Sequence, residues 1–143
     1  MIETYNALVE AYGEASTPPV DPAHPVIQAR TRGAAKRQIN SYYQSLVDTG
    51  FAETNAQDQR NIVDVFVDSP TSGRIRECSV LASDLVDLET GEIDESLGEV
   101  TFADNFYILE DGIWKLDHWD EPFAIDTITE CPVGMRDDPR INA

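Results

Sequence analysis

The stretch EVTFADNFYILEDGIWKLDHW, residues Glu99 to Trp119, decides the fold. It holds two runs rich in β-branched and aromatic residues on either side of Glu110-Asp111-Gly112-Ile113. Asp-Gly suits the two central positions of a type I′ turn, whose twist matches that of paired strands. The spacing therefore predicts a hairpin of Glu99–Leu109 with Trp114–Trp119. If Asp111 and Gly112 are the turn, Glu110 pairs with Ile113, Leu109 with Trp114, Tyr107 with Leu116 and Asn105 with His118. Strand side chains alternate, so these pairs share one face. The other face carries Val100, Phe102, Asp104, Phe106 and Ile108 opposite Lys115, Asp117 and Trp119.

Upstream of this hairpin the same period of two continues. Val63, Val65 and Val67 alternate with Ile62, Asp64, Phe66 and Asp68. Pro70-Thr71-Ser72-Gly73 reads as a turn. Arg74–Ala82 reads as the next strand, with Ile75 and Leu81 on one face and Cys78, Val80 and Ala82 on the other. Asp87–Gly98 is polar and reads as a surface loop. Phe123–Thr129 extends the sheet or adds a last strand. Residues 132–143, with Pro132, Gly134 and Pro139, read as a flexible tail.

The first fifty residues have a helical period instead. Ile2, Tyr5, Leu8, Val9 and Tyr12 form one stripe, and Gly13 with Pro18-Pro19 ends it. Residues 17–25 hold four prolines and form a stiff connector in which His24 is expected at the surface. A second helix starts near Pro25 and is interrupted at Gly33. Ala35, Ile39, Tyr42, Tyr43, Leu46 and Val47 then form the strongest helical stripe, with Gly50 as its stop. Helices followed by four or five antiparallel strands define an α+β fold.

Composition narrows the function. The chain has 143 residues, enough for one domain, and a formal charge of −17. Residues 1–83 hold 10 acidic and 7 basic side chains, residues 84–143 hold 17 and 3, so the acidity lies in the sheet half. Such a charge repels phosphate backbones and excludes nucleic acid as a partner. No apolar run reaches the roughly 18 residues of a transmembrane segment. Two cysteines and two histidines cannot build a Cys/His zinc cage plus anything else, and no metal is expected. There is no phosphate loop, nucleophile elbow or His-Glu-x-x-His helix, and no cofactor is expected. Arg30, Arg32, Lys36 and Arg37 form a basic patch. It could meet the acidic sheet, a partner or an anionic membrane surface, or form a solvated helix face.

Two constellations could carry chemistry. Asn105, Tyr107 and His118, with Trp114 beside them, are candidate ligand-binding groups on one sheet face. Asp104 is the lone carboxylate in an otherwise apolar row, where burial would raise its pKa as in many catalytic bases. Were the protein an enzyme, Asp104 or His118 would be the base and Tyr107 an oxyanion donor. Each has a structural alternative. His118 can be a hydrogen-bonded sheet histidine, Asp104 can mark a bulge, and Trp114 and Trp119 can be packing residues. Cys78 and Cys131 are 53 positions apart. A bridge between them would be worth roughly 4 kcal/mol in the chain-entropy model. Two buried free thiols fit the spacing equally well.

Several short runs add a resemblance. Arg76-Glu77-Cys78-Ser79, Leu88-Glu89-Thr90-Gly91-Glu92, Asp111-Gly112-Ile113-Trp114-Lys115-Leu116 and Glu130-Cys131 occur in order, after Ala11-Tyr12 and Asp21-Pro22. Over residues 2–131 the chain resembles a family of small secreted proteins and lipoproteins of high-GC Gram-positive bacteria. That family has a cystatin-like, nuclear transport factor 2-like fold. The resemblance implies one domain over residues 1–131, with helices wrapped by a curved sheet into a cone. It also implies an extracytoplasmic place and a Cys78–Cys131 disulfide, which an oxidising compartment would preserve. Met1-Ile2-Glu3 lacks the basic and apolar regions of a signal peptide. A mature or membrane-tethered domain is expected, its targeting segment not part of this chain.

The fold alone does not set the function. The first expectation is a non-enzymatic binding or assembly domain of the cell envelope, taking a protein partner or a small apolar ligand, with a homodimer as one option. The second is an isomerase, cyclase or dehydratase, which needs an open cavity of about 300 Å³ or more. The third is an acidic inhibitor or immunity protein that blocks a basic partner.

Overall fold

The computed structural model describes residues 1–54, 59–80, 84–96, 100–120 and 123–124. Three helices form the first half: α1 (Ile2–Ser16), α2 (Pro25–Arg30) and α3 (Gly33–Thr49). Helix α1 buries Tyr5, Leu8, Ala11 and Ala15, a stripe at spacings of three and four. Ile2, which the sequence places in that stripe, is half exposed. Helix α3 buries Ala35, Ile39, Tyr43 and Leu46, and Gly50 ends it in the left-handed region at φ 75°, donating its N–H to the last-turn carbonyls. His24 is not a surface residue as expected. Its ring caps α2 by accepting from the Val26 N–H at 3.3 Å, and its other nitrogen meets Glu14 of α1 at 2.8 Å. It thereby ties the connector to both helices.

The strands are β1 (Phe51–Thr54), β2 (Gln59–Ser69), β3 (Ser72–Val80), β4 (Asp84–Asp87), β5 (Ile93–Ser96), β6 (Val100–Glu110), β7 (Ile113–Trp119) and β8 (Phe123–Ala124). The main sheet runs β2-β3-β6-β7 with β8 also on β6, and every pairing is antiparallel. A smaller antiparallel sheet runs β1-β4-β5. It replaces part of the loop expected over Asp87–Gly98. The short strand β5 pairs through its backbone, which leaves little side-chain pattern to read. The expected strand ends at Leu81–Ala82 and Ile125–Thr129, the tail 132–143 and Cys131 lie outside the described residues.

The helices cover one face of the main sheet. Tyr5, Leu8, Ala11, Ile27, Ile39, Tyr43 and Leu46 pack there with Ile75, Tyr107 and Leu116 from the strands. Burial of these side chains is the main driving force for the fold. On the opposite face Cys78 and Phe102, which are register partners, are also fully buried.

The hairpin turn forms as expected, with Asp111 and Gly112 at φ 53° and 76°. Glu110 pairs with Ile113, Leu109 with Trp114 and Tyr107 with Leu116. Beyond that the register shifts by one: Phe106 pairs with His118 and Asn105 with Trp119. The extra residue is Asp117, and the link between α2 and α3 docks on it. The Arg32 N–H donates to the Leu116 carbonyl at 2.8 Å, and its guanidinium reaches Asp117 at 2.7 Å and Glu110 at 3.1 Å. Gly33 stands at φ 54°, and a Cβ there would lie 2.8 Å from the Asp117 carboxylate, so a side chain is excluded twice over. Three of the four patch residues therefore have an assignment, Lys36 donating to the Gln28 carbonyl at 3.1 Å. Arg32 meets the acidic hairpin, while Arg30 reaches Glu3 and Thr4.

Candidate functional site

A cavity of about 650 Å³ lies between α1, α3 and the inner face of the main sheet. This is within the range of small-molecule sites. Helix α1 contributes Tyr5, Leu8 and Tyr12, and α3 contributes Ile39, Tyr42 and Tyr43. The sheet side is supplied by Arg60, by Glu77 and Ser79 of β3, by Ala103, Asn105 and Tyr107 of β6, and by Trp119. The inward positions of β3 and β6 pair in register: Glu77 with Ala103, Ser79 with Thr101, Ile75 with Asn105. Alternation therefore aims one row of polar side chains into an aromatic chamber.

The charge in this chamber is paired. Arg60 Nη1 lies 3.3 Å from Glu77 Oε1, and the Glu77 side chain is almost wholly buried. The guanidinium also sits 5.4 Å from the centre of the Tyr12 ring, a cation–π arrangement. Ser79 and Thr101 hydroxyls meet at 3.1 Å. Burial raises the Tyr5 phenol above its usual range, and the charge of Glu77 raises it further. Burial likewise raises Tyr12 and Tyr107. All three stay neutral hydroxyls, able to donate a hydrogen bond. Tyr5 Oη is buried beside the Glu77 carboxylate but makes no well-formed hydrogen bond.

Two of the sequence candidates, Asn105 and Tyr107, open into this cavity. His118 does not. The one-residue shift at Asp117 turns it to the other face, where its ring stacks on Phe106 at 4.5 Å and its Nδ1 lies 2.9 Å from Asp117. The expected pairing of His118 with Asn105 is thus corrected, and Trp119 takes that place. Trp114 is half-buried against the core, away from the cavity lining, and its carbonyl accepts from Thr4 Oγ1 at 2.7 Å.

Asp104 also lies on the outer face. It accepts from Arg74 Nη1 at 2.7 Å, from Arg76 Nε at 2.8 Å and from Arg76 Nη2 at 3.1 Å. The hydrogen bonds and charge of Arg76, and then the charge of Arg74, hold its carboxyl below the usual carboxylate range despite partial burial. The raised pKa expected for an isolated carboxylate is therefore corrected, because two guanidinium groups from the neighbouring strand neutralise it. Arg74 in turn stacks over Phe66 at 4.1 Å.

Sequence reasoning missed Arg60, Glu77, Tyr5 and Tyr12 as members of one site. A signal for Glu77 existed, since it shares the inward alternation of Ile75. The convergence of α1 on that row carries no local signature. Among the described residues no group of three or more His, Cys, Asp or Glu stands together to hold a metal ion. No described helix is long and apolar enough to cross a membrane.

Fold and site together define an α+β domain with helices on one face of an antiparallel sheet and an aromatic cavity between them. No family model and no curated protein matches the chain. Nine chains of solved structures do match. One is the crystal structure of the intermembrane space region of the chloroplast protein ARC6, with a TM-score of 0.60 at 12% identity. The match covers 84% of this chain and 93% of that one. At that identity the likeness is one of fold.

Proposed function

We propose that this chain is a non-enzymatic binding domain of the cell envelope and that the cavity under α1 and α3 is its binding site. The cavity itself carries the reading: about 650 Å³ lined by six aromatic side chains, with the Glu77 carboxylate paired to the Arg60 guanidinium. The enzymatic alternative has the space it requires and keeps Tyr107. Both of its bases, Asp104 and His118, lie on the outer face, and Glu77 is engaged by Arg60. An extracytoplasmic, tethered location and a cone of the nuclear transport factor 2-like kind belong to the same proposal. They rest on the sequence resemblance, and the shared fold with an intermembrane space region is consistent with them.

The test uses Ala103, which sits on β6 directly opposite Glu77 and is almost fully buried at the cavity wall. Ala103→Trp places an indole in the chamber and removes no polar group. Fluorescence titration with the naphthalene dyes prodan and ANS should show saturable binding to the native chain. In the variant the affinity should fall about tenfold or more, through steric conflict alone. Equal binding by both chains would contradict the site.

A Cys78–Cys131 disulfide is part of the proposal as well. Cys78 is fully buried, and no free thiol occurs among the described residues. A thiol reagent applied to the unfolded chain should find no thiol without reductant and two with it. Two thiols before reduction would rule the bridge out.

A further inference from the structure

The ligand class can be narrowed from the polar groups the cavity leaves unused. We propose, resting on the cavity being the binding site, that it takes a neutral, largely apolar molecule whose carbonyl or hydroxyl oxygen accepts a hydrogen bond from Tyr5. The Tyr5 side chain is 4% exposed, lines the cavity and has a hydroxyl that lies beside Glu77 without a well-formed hydrogen bond. A buried hydroxyl so placed costs stability in the empty protein, and native structures keep few of them. A second polar side chain faces the same space. Asn105 is 8% exposed and also lines the cavity. Tyr107 lies two positions further along the same face of β6. One strand, β6, and one helix, α1, therefore present donors to one chamber.

Charge selects against ions. Glu77 and Arg60 pair at the cavity wall, and a second carboxylate of the lining, Glu53, accepts from the Tyr42 hydroxyl. An anion entering beside them would meet the Glu77 carboxylate, and a cation would meet the Arg60 guanidinium, in surroundings that screen poorly. A neutral oxygen meets neither penalty. The remaining lining, Leu8, Tyr12, Ile39, Tyr43 and Trp119, offers apolar and aromatic contact along the rest of the ligand.

The experiment compares prodan, a neutral naphthyl ketone, with ANS, an anionic naphthalene sulfonate of similar bulk, on the native chain, Tyr5→Phe and Asn105→Leu. The native chain should bind prodan more tightly than ANS. Tyr5→Phe removes only the hydroxyl, so prodan affinity should fall about fivefold to tenfold. The same variant without dye should melt about 3 °C higher, because the poorly bonded group is gone. Asn105→Leu should also weaken prodan. Unchanged prodan affinity in Tyr5→Phe, or preference of the native chain for ANS, would overturn the proposal. If those results come with dye binding that Ala103→Trp abolishes, the cavity reading stands and only the ligand class falls. If Ala103→Trp also leaves dye binding unchanged, both fall together.

Discussion

Asp104→Ala is expected to cost about 2–3 kcal/mol of stability, seen as a fall of about 8 °C in Tm. The carboxylate is nearly buried and receives three hydrogen bonds from Arg74 and Arg76. Removing one partner of a buried ion pair typically costs 3–5 kcal/mol, roughly, because the other charge is stranded. Both arginines here are partly exposed and can rehydrate, which lowers the figure. The pH dependence follows from the sign of the shift. The folded pKa lies below that of the unfolded chain, about 3.9, so the contribution is complete above that value. It is lost as pH falls through the lower folded value. Acid titrations of Tm should therefore fall less steeply for Asp104→Asn than for the native chain. A variant with native stability and an unchanged acid limb would show that the outer-face cluster contributes nothing.

Glu77→Gln should combine a stability loss with a change of ligand preference. Glu77 and Arg60 meet through one contact of 3.3 Å, and the arginine side chain is a fifth exposed. Removing the carboxylate charge should cost about 2 kcal/mol, toward the low end for a paired charge facing a cavity. The chamber then keeps the Arg60 guanidinium with one carboxylate fewer. ANS affinity should rise about tenfold, while prodan affinity changes little. The double replacement Glu77→Leu with Arg60→Met should recover most of the stability, since it removes both charges together. Dye titrations and thermal melts on the three chains check each statement. An ANS affinity that ignores the loss of Glu77 would place the dye elsewhere.

Much of the fold is written locally. The stripe Ala35, Ile39, Tyr43, Leu46 and the stop at Gly50 are enough to set α3, and Asp111-Gly112 is enough to set the hairpin turn. Register near that turn follows from the turn itself. It fails at Asp117 because the bulge answers to Arg32 and Gly33, more than eighty positions earlier in the chain. That single slip carried His118 off the candidate face and brought Trp119 onto it, as expected of a one-residue shift in a period of two. Asp104 was legible as a carboxylate in an apolar row, but its charge partners sit on the neighbouring strand. The cavity was half legible: Asn105 and Tyr107 share a face by alternation, whereas Tyr5, Arg60 and Glu77 meet them only through packing.

The central claim is that the cavity between α1, α3 and the inner sheet face binds a small ligand. Amide chemical shifts during a prodan titration test it most directly. The account predicts perturbations concentrated at Tyr5, Glu77, Ala103, Asn105 and Tyr107, the residues that line the chamber. Perturbations confined to the outer face, at Phe66, Asp104, Phe106 and His118, or no saturable perturbation at all, would contradict it.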